Sequence, residues 1–367
     1  MNIGINLRML MPNKIGGMEG YVRCLVKEFI RQYNQHRYHL FLGKAAYQTF
    51  SSDNGQLTIE RLNDREPILA MKKALSKFEF WFCPLLILEP YEVALPNAIT
   101  VPDVQHEIYP EFFSQEELAW RIQNYRASMQ RANLIFTLSH YSKDTIVEYC
   151  EVPEEKVIVT YLDAHEIFTQ PLDEELRKCI QKKYNLPKRY AYYPANSWPH
   201  KNHVNLIKAL KILHDDYHES INLIFTGSRQ MRYNHIQKYI HELKMDHRVR
   251  HLGYVDKNHL PYIYADAVFL VFPSQFEGFG IPLVEAMRVG CPITCSHVTS
   301  IPEVAGPAAL YFNPNAPEEM ADSMAQLIRN PGFRKALVVK GYNQVNKFSW
   351  SKVAEITINK VTELCNS

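Results

Sequence analysis

Short apolar runs alternate with amphipathic stripes along most of this chain. Runs at Ile3–Leu7, Tyr38–Leu42, Glu79–Phe82, Ala98–Val101, Leu134–Leu138 and Lys156–Val159 have the length and composition of strands covered on both faces. A second cycle repeats the pattern at Tyr190–Tyr193, Ile221–Phe225 and Val268–Phe272. Between them lie stripes of helical period: Tyr21, Leu25 and Phe29 early on, then Asn202–Leu213, Asn234–Leu243 and Pro282–Val289. Strands alternating with helices predict α/β architecture with parallel, doubly wound sheets. Two cycles predict two Rossmann-like domains, which suits 367 residues. Pro171 and its polar neighbours break the periodicity over Asp163–Asp173, so the domains are expected at 1–170 and 171–349.

The densest local signal is F-P-S-Q-F-E-G-F-G-I-P-L-V-E-A, Phe272 to Ala286. A buried strand leads into it, Gly278 and Gly280 permit a tight turn, Pro282 suits the first turn of a helix, and Gly290 suits its end. Strand, glycine turn and helix leave unpaired amides at the helix start, which is an anion site. Glu277 in the turn and Glu285 in the first helical turn repel phosphate but accept from sugar hydroxyls. A nucleotide-sugar carries both kinds of group. The plainer alternative is a solvated loop acid and a carboxylate that only complements the helix dipole.

Y-P-A-N-S-W-P-H-K-N-H, Tyr193 to His203, places Lys201 after a predicted strand and before a helix. A lysine there opposes the helix dipole, so stability does not explain it. A departing diphosphate, by contrast, needs a fixed cation. The sequence contains no D-x-D triplet to hold a metal, and His200 with His203 makes no convincing metal pair. Met11–Gly20, with Gly16 and Gly17, follows the first strand and precedes a helix, as at the start of a nucleotide-binding unit.

E-G-F-G-I-P-L-V-E resembles the E-x7-E motif of retaining glycosyltransferases of the GT-B fold, most closely glycosyltransferase family 4. The resemblance implies two Rossmann-like domains facing a cleft. It also implies that Glu277 faces the transferred sugar, Glu285 binds the ribose, and the backbone of Gly278, Phe279, Gly280, Ile281 and Leu283 holds sugar hydroxyls and phosphate. Gly16 and Gly17 would approach the diphosphate, and Gly227, Ser228, Tyr254 and Val255 would flank the base. The family carries an arginine shortly before the lysine. Here that stretch reads Ala195-Asn-Ser-Trp, which leaves Asn196, His200 and Arg229 as substitutes. T-V-P-D-V-Q-H, Thr100 to His106, is similar to a D-x-Q-H pattern of the polysaccharide subgroup, and implies that Asp103 and His106 lie on the cleft floor near the acceptor hydroxyl. F-S-W-S-K at 348–352 resembles the closing segment whose helix crosses back, which assigns 350–367 to the first domain.

A net charge of +2 gives no electrostatic case for nucleic acid. Seven scattered cysteines without paired spacing fit reduced thiols in a cytoplasmic protein. No secretory leader is visible, and the longest apolar run, Phe78–Leu88, is too short to span a bilayer and is interrupted by Glu79 and Pro84. Lys72, Lys73 and Lys77 are the candidates for peripheral contact with the inner face of a membrane. The expected activity is retaining, metal-independent transfer of a hexose, mannose or a relative of it, from a nucleotide diphosphate sugar to a hydroxyl of a glycan or lipid-linked acceptor. The expected setting is bacterial surface-polysaccharide assembly, with no cofactor. The alternatives are a GT-B epimerase and a non-catalytic nucleotide-sugar-binding protein.

Overall fold

The computed structural model describes residues 1–12, 17–51, 55–228 and 233–367. They form two compact units, Met1–Leu162 with Phe348–Ser367, and Asp163–Lys347.

The first unit is a seven-stranded parallel sheet: β1 (Asn2–Leu7), β2 (Arg37–Leu42), β3 (Leu57–Arg61), β4 (Phe80–Cys83), β5 (Asn97–Thr100), β6 (Leu134–Thr137) and β7 (Val157–Val159). Their spatial order is β3-β2-β1-β4-β5-β6-β7. Trp81 is fully buried against β1, where a Cβ on Gly4 would stand 2.5 Å from its ring. The C-terminal helix Trp350–Asn366 packs on Gly17–Gln32, with Ser351 Oγ donating to Gln32 Oε1 at 2.9 Å and the Tyr21 and Trp350 rings 6.3 Å apart. The chain therefore returns to its first unit, as the closing segment implied. β3 lacks an apolar run because it is an edge strand with exposed or half-buried polar positions.

The second unit is a six-stranded parallel sheet: β8 (Tyr190–Pro194), β9 (Asn222–Thr226), β10 (Val249–His251), β11 (Phe269–Phe272), β12 (Ile293–Ser296) and β13 (Ala309–Phe312). Their order is β10-β9-β8-β11-β12-β13. β12 reads Ile-Thr-Cys-Ser yet is wholly buried. Its hydroxyls are satisfied inside: Thr294 Oγ1 donates to Leu310 O at 3.0 Å and Ser296 Oγ to Ser274 O at 2.6 Å. Polarity that reads as loop is here a bonded core strand.

Chain order reverses between β1 and β4 in one unit and between β8 and β11 in the other. Ligands of open α/β sheets bind at such points, beyond the carboxyl ends of the strands. The changeover between units falls directly after Leu162, ahead of the break at Pro171. Residues 163–170 pack into the second unit: Arg288 donates twice to Asp163, at 3.1 and 2.7 Å, and Phe168 lies 5.6 Å from Tyr264, ring to ring.

Candidate active site

β8 and β11 are hydrogen-bonded neighbours in the second unit, and the segments that follow them are locked together. Asn202 sits in the left-handed region at φ +58°, and its amide donates to Pro273 O at 3.0 Å and Pro314 O at 2.7 Å. Gln275 N donates to His200 O at 2.8 Å, and Tyr193 OH to Lys201 O at 2.7 Å. These bonds fix the backbone on either side of Lys201. Its ammonium lies 2.6 Å from Glu277 Oε1, with the two side chains 18% and 12% exposed. The cation and the carboxylate singled out in the sequence, 76 residues apart, are thus one ion pair at the switch point.

The turn carrying Glu277 is held from β12. Glu277 N donates to Thr299 Oγ1 at 3.2 Å, while Ser300 Oγ donates to Glu277 O at 2.8 Å and Phe279 O at 3.2 Å. Thr299 is itself left-handed at φ +53°, a costly conformation for a β-branched residue and one that collects at functional sites. Gly280 takes φ +100° and opens the helix Ile281–Arg288, with Pro282 at its second position. Gly278 is buried and Ile281 half-buried, while the Phe279 and Leu283 side chains belong to the core. Leu283 corrects the expectation of an open amide, since its N–H is bonded to Gly280 O at 2.9 Å. The amides of Gly280 and Ile281, at the helix start, are the better anion donors.

Glu285 also needs correction. It stands in the second turn of the helix, with no acidic residue in the first, so dipole complementation does not explain it. Tyr264 OH donates to its Oε2. Burial pushes the carboxyl up to about 7, against the opposing pull of that hydrogen bond. A group poised there changes charge near neutrality.

The substitutes for the family's arginine separate. Asn196 Oδ1 accepts from Ser228 N at 2.7 Å and Ser228 Oγ at 2.9 Å, so it pins the segment after β9. Gly227, at φ +128°, fits only without a side chain: a Cβ would stand 2.8 Å from Ala195 O. Burial, then the charge of Lys201, pushes His200 down to about 2, so its neutral ring cannot replace a guanidinium. Arg229 and Gly16 lie outside the described residues, and Gly17 is the exposed first residue of its helix. Gly227 N donates to Gly253 O at 3.0 Å, which sets the segments after β8, β9 and β10 in a row. Tyr254 is 70% exposed there, and Val255 is buried. Among the described residues, no group of three or more His, Cys, Asp or Glu could hold a metal ion.

In the first unit, Asp103 follows β5 and its Oδ1 accepts from Gln105 N at 3.1 Å. His106 departs from the expected open position. It is 1% exposed, neither ring nitrogen has a hydrogen-bond partner among the described residues, Glu107 Oε1 lies 3.8 Å from its Nε2, and Tyr125 meets it edge-on at 4.8 Å. Burial pushes the ring down to about 4. An enclosed neutral imidazole is interior packing and not a surface acid–base group, and it forms no pair with Asp103.

Sequence reasoning missed Thr299, Ser300, Asn202 and Tyr264 as supports of the site. Asn202 lies in the P-H-K-N run, but a left-handed stapling residue there has no signature apart from its partners. Tyr264 gives no sequence signal at all.

A sequence profile described as "Glycosyl transferases group 1" matches residues 177–344. O-antigen chain mannosyltransferase B of Escherichia coli is 30% identical over 266 residues, spanning 72% of this chain and 70% of that protein. O-antigen chain mannosyltransferase RfbU of Salmonella typhimurium is 29% identical over 267 residues, 73% of this chain and 69% of its own. In fold, Anabaena Alr3699/HepE, solved in complex with UDP and glucose, superposes with a TM-score of 0.78 at 16% identity, covering 99% of this chain and 100% of that one. WaaG, a glycosyltransferase involved in lipopolysaccharide biosynthesis, gives 0.74 at 13% identity, covering 98% and 99%. WaaG has the GT-B fold, as this chain does. On this sequence similarity, the chain belongs to the group 1 glycosyltransferases.

Proposed function

We propose that this enzyme transfers a hexose, mannose by the relatives' activity, from a nucleotide diphosphate sugar to a hydroxyl of a glycan or lipid-linked acceptor in bacterial surface-polysaccharide assembly. Anomeric configuration is retained, and neither metal nor cofactor takes part. One observation carries the reading: the Lys201–Glu277 ion pair at the β8/β11 switch point.

The donor's phosphates compete for the Lys201 ammonium and take the amides at the start of the helix Ile281–Arg288. Release from Lys201 frees the Glu277 carboxylate to accept hydroxyls of the transferred sugar. Glu285, when ionised, accepts from the ribose. As the anomeric carbon–oxygen bond breaks, charge grows on the leaving diphosphate, where Lys201 stabilises it. The acceptor oxygen bonds to the anomeric carbon on the same face and passes its proton to a leaving phosphate oxygen. No sugar–protein bond forms, so the protein acts by positioning and electrostatics.

No helix among the described residues is long and apolar enough to cross a membrane. Lys72, Lys73 and Lys77 are exposed at the end of the helix Pro67–Ala74 and just beyond it. They are proposed as a peripheral contact for an anionic bilayer. Lys72 is paired with Glu92 at 2.9 Å, which weakens its share.

The test is transfer from a panel of nucleotide-sugars by the intact enzyme, with thermal shift as the binding readout. GDP-mannose is expected to raise Tm and to support transfer. Lys201→Ala and Glu277→Ala should both abolish most transfer while remaining folded. Transfer at wild-type rates by either variant contradicts the assignment.

A further inference from the structure

In the second unit the helices Leu260–Asp266 and Ile281–Arg288 pack together, one carrying Tyr264 and the other Glu285. Glu285 is half-buried. Its Oε2 accepts from Tyr264 OH, and its Oε1 has no hydrogen-bond partner among the described residues. Tyr264 has no exposed surface. Its ring meets Tyr192 of β8 edge-on at 4.8 Å and Phe168 edge-on at 5.6 Å. Tyr190 OH, also from β8, donates to Ile263 O at 2.7 Å and pins the helix backbone next to Tyr264. Tyr192 OH is hydrogen-bonded to Thr226 Oγ1 at 2.6 Å, and among the described residues it makes no bond to Glu285. With ring and backbone both fixed, the Tyr264 phenol is the rigid member of the pair, and the longer glutamate side chain takes its rotamer from it.

We propose that Tyr264 is a positioning residue for the donor nucleotide: it holds one oxygen of Glu285 so that the other meets the ribose hydroxyls, and it thereby makes the enzyme select ribonucleotides over forms that lack those hydroxyls. The inference rests on the ribose role of Glu285 proposed above and adds the residue that orients it. A carboxylate already bonded on one side offers a single acceptor at a fixed place, so less freedom is lost when the ligand binds. A site built to bond a hydroxyl rejects the analogue without it, because the acceptor is then left unpaired. Removing the Tyr264 hydroxyl takes away the donor to Oε2, and the carboxylate turns out of register with the ribose. A tyrosine that only fills the core would instead act on stability and on every nucleotide alike.

The experiment measures calorimetric binding of GDP and 2′,3′-dideoxy-GDP to the full chain. It is run on the wild type, Tyr264→Phe, Tyr192→Phe, Glu285→Ala, and the double variant of Tyr264→Phe with Glu285→Ala. The wild type is expected to prefer GDP about tenfold or more, the size of one hydrogen bond to a charged group. Tyr264→Phe should weaken GDP about three- to tenfold and leave dideoxy-GDP unchanged, which also shows that the variant folds. Tyr192→Phe keeps the ring that packs on Tyr264 and should leave the preference at the wild-type value. In the Glu285→Ala background, Tyr264→Phe should add nothing, because it acts through that carboxylate. With GDP-mannose as donor, Tyr264→Phe should raise KM and keep kcat within about twofold. Equal weakening of both nucleotides by Tyr264→Phe, an unchanged preference, the same loss in Tyr192→Phe, or a further loss in the Glu285→Ala background overturns the positioning role. A wild type that binds the two nucleotides equally would instead overturn the ribose role of Glu285, and one that binds neither would overturn the donor reading.

Discussion

The ends of β8 and β11 and the end of β5 each carry titratable residues that stand out in the sequence, and the fold treats them differently. Beyond β8 and β11 the opposite charges meet: Lys201 and Glu277 form a close pair held by Asn202, Thr299 and Ser300. Beyond β5 the imidazole of His106 is buried against the Tyr125 ring, neither nitrogen hydrogen-bonded among the described residues, while Asp103 remains partly open. The first stretch is rich in residues that dictate backbone geometry: two glycines, a helix-starting proline and a left-handed asparagine. Such residues encode where a side chain points. Near Asp103 the sequence offers chemical types without that constraint, and type alone does not tell an interior histidine from an active one.

The largest effect should come from dismantling the ion pair. Lys201→Ala is expected to cut the rate constant for transfer about a hundredfold or more, the scale of removing one charge stabiliser. Glu277→Ala should do comparable damage. Because the two groups act on each other, the double variant should lose less stability than the two single losses added together. Urea unfolding of all three proteins gives that coupling, and strict additivity would mean that the pair contributes nothing.

Next in size is the pH response, where the two regions pull in opposite directions. The Glu285 carboxyl is held near 7 in the folded state against an ordinary 4.5. Its contribution is intact below about 4.5 and is lost as pH rises through 7, roughly 3 kcal/mol in all. Relative to wild type, Glu285→Gln should therefore gain stability between pH 5 and 7.5. The His106 ring is held near 4 against an ordinary 6.5. Its contribution is lost as pH falls from about 6.5 towards 4. His106→Phe should therefore gain stability relative to wild type as the solution is acidified. Thermal melts of both variants across pH 4.5–8 read the two slopes, and slopes of the same sign would break the comparison.

A smaller loss, about 1–2 kcal/mol, is expected for Gly280→Ala, because φ +100° strains an L-residue and a Cβ would stand 3.1 Å from Leu283 Cδ1. The smallest effect falls on activity. His106→Phe should keep transfer within about threefold of wild type, since a ring of similar size fills the space beside Tyr125 and removes two buried polar atoms that lack hydrogen bonds. A hundredfold loss there would return His106 to the reaction.

What was legible in the chain follows the same divide. Strands with continuous apolar runs, such as β1, β8 and β11, fell within a residue or so of their predicted positions. β3, β10, β12 and β13 did not show. β3 is a half-polar edge strand, β10 has three residues including Arg250 and His251, and β12 buries hydroxyls whose partners lie on other strands. Glu277 and Lys201 were legible because glycine and helix-start signals surround them. The Leu283 amide was misjudged, since its bond to Gly280 O closes only in three dimensions. The support of Glu285 by Tyr264, 21 residues earlier, is likewise a property of packing.

A crystal structure of the enzyme with a nucleotide diphosphate sugar bound tests the central claim most directly. The expected result has a donor phosphate oxygen at about 3 Å from Lys201 Nζ, Glu277 turned from the lysine to the sugar hydroxyls, and Glu285 on the ribose. A donor bound elsewhere, with the Lys201–Glu277 pair still closed at 2.6 Å, would contradict it.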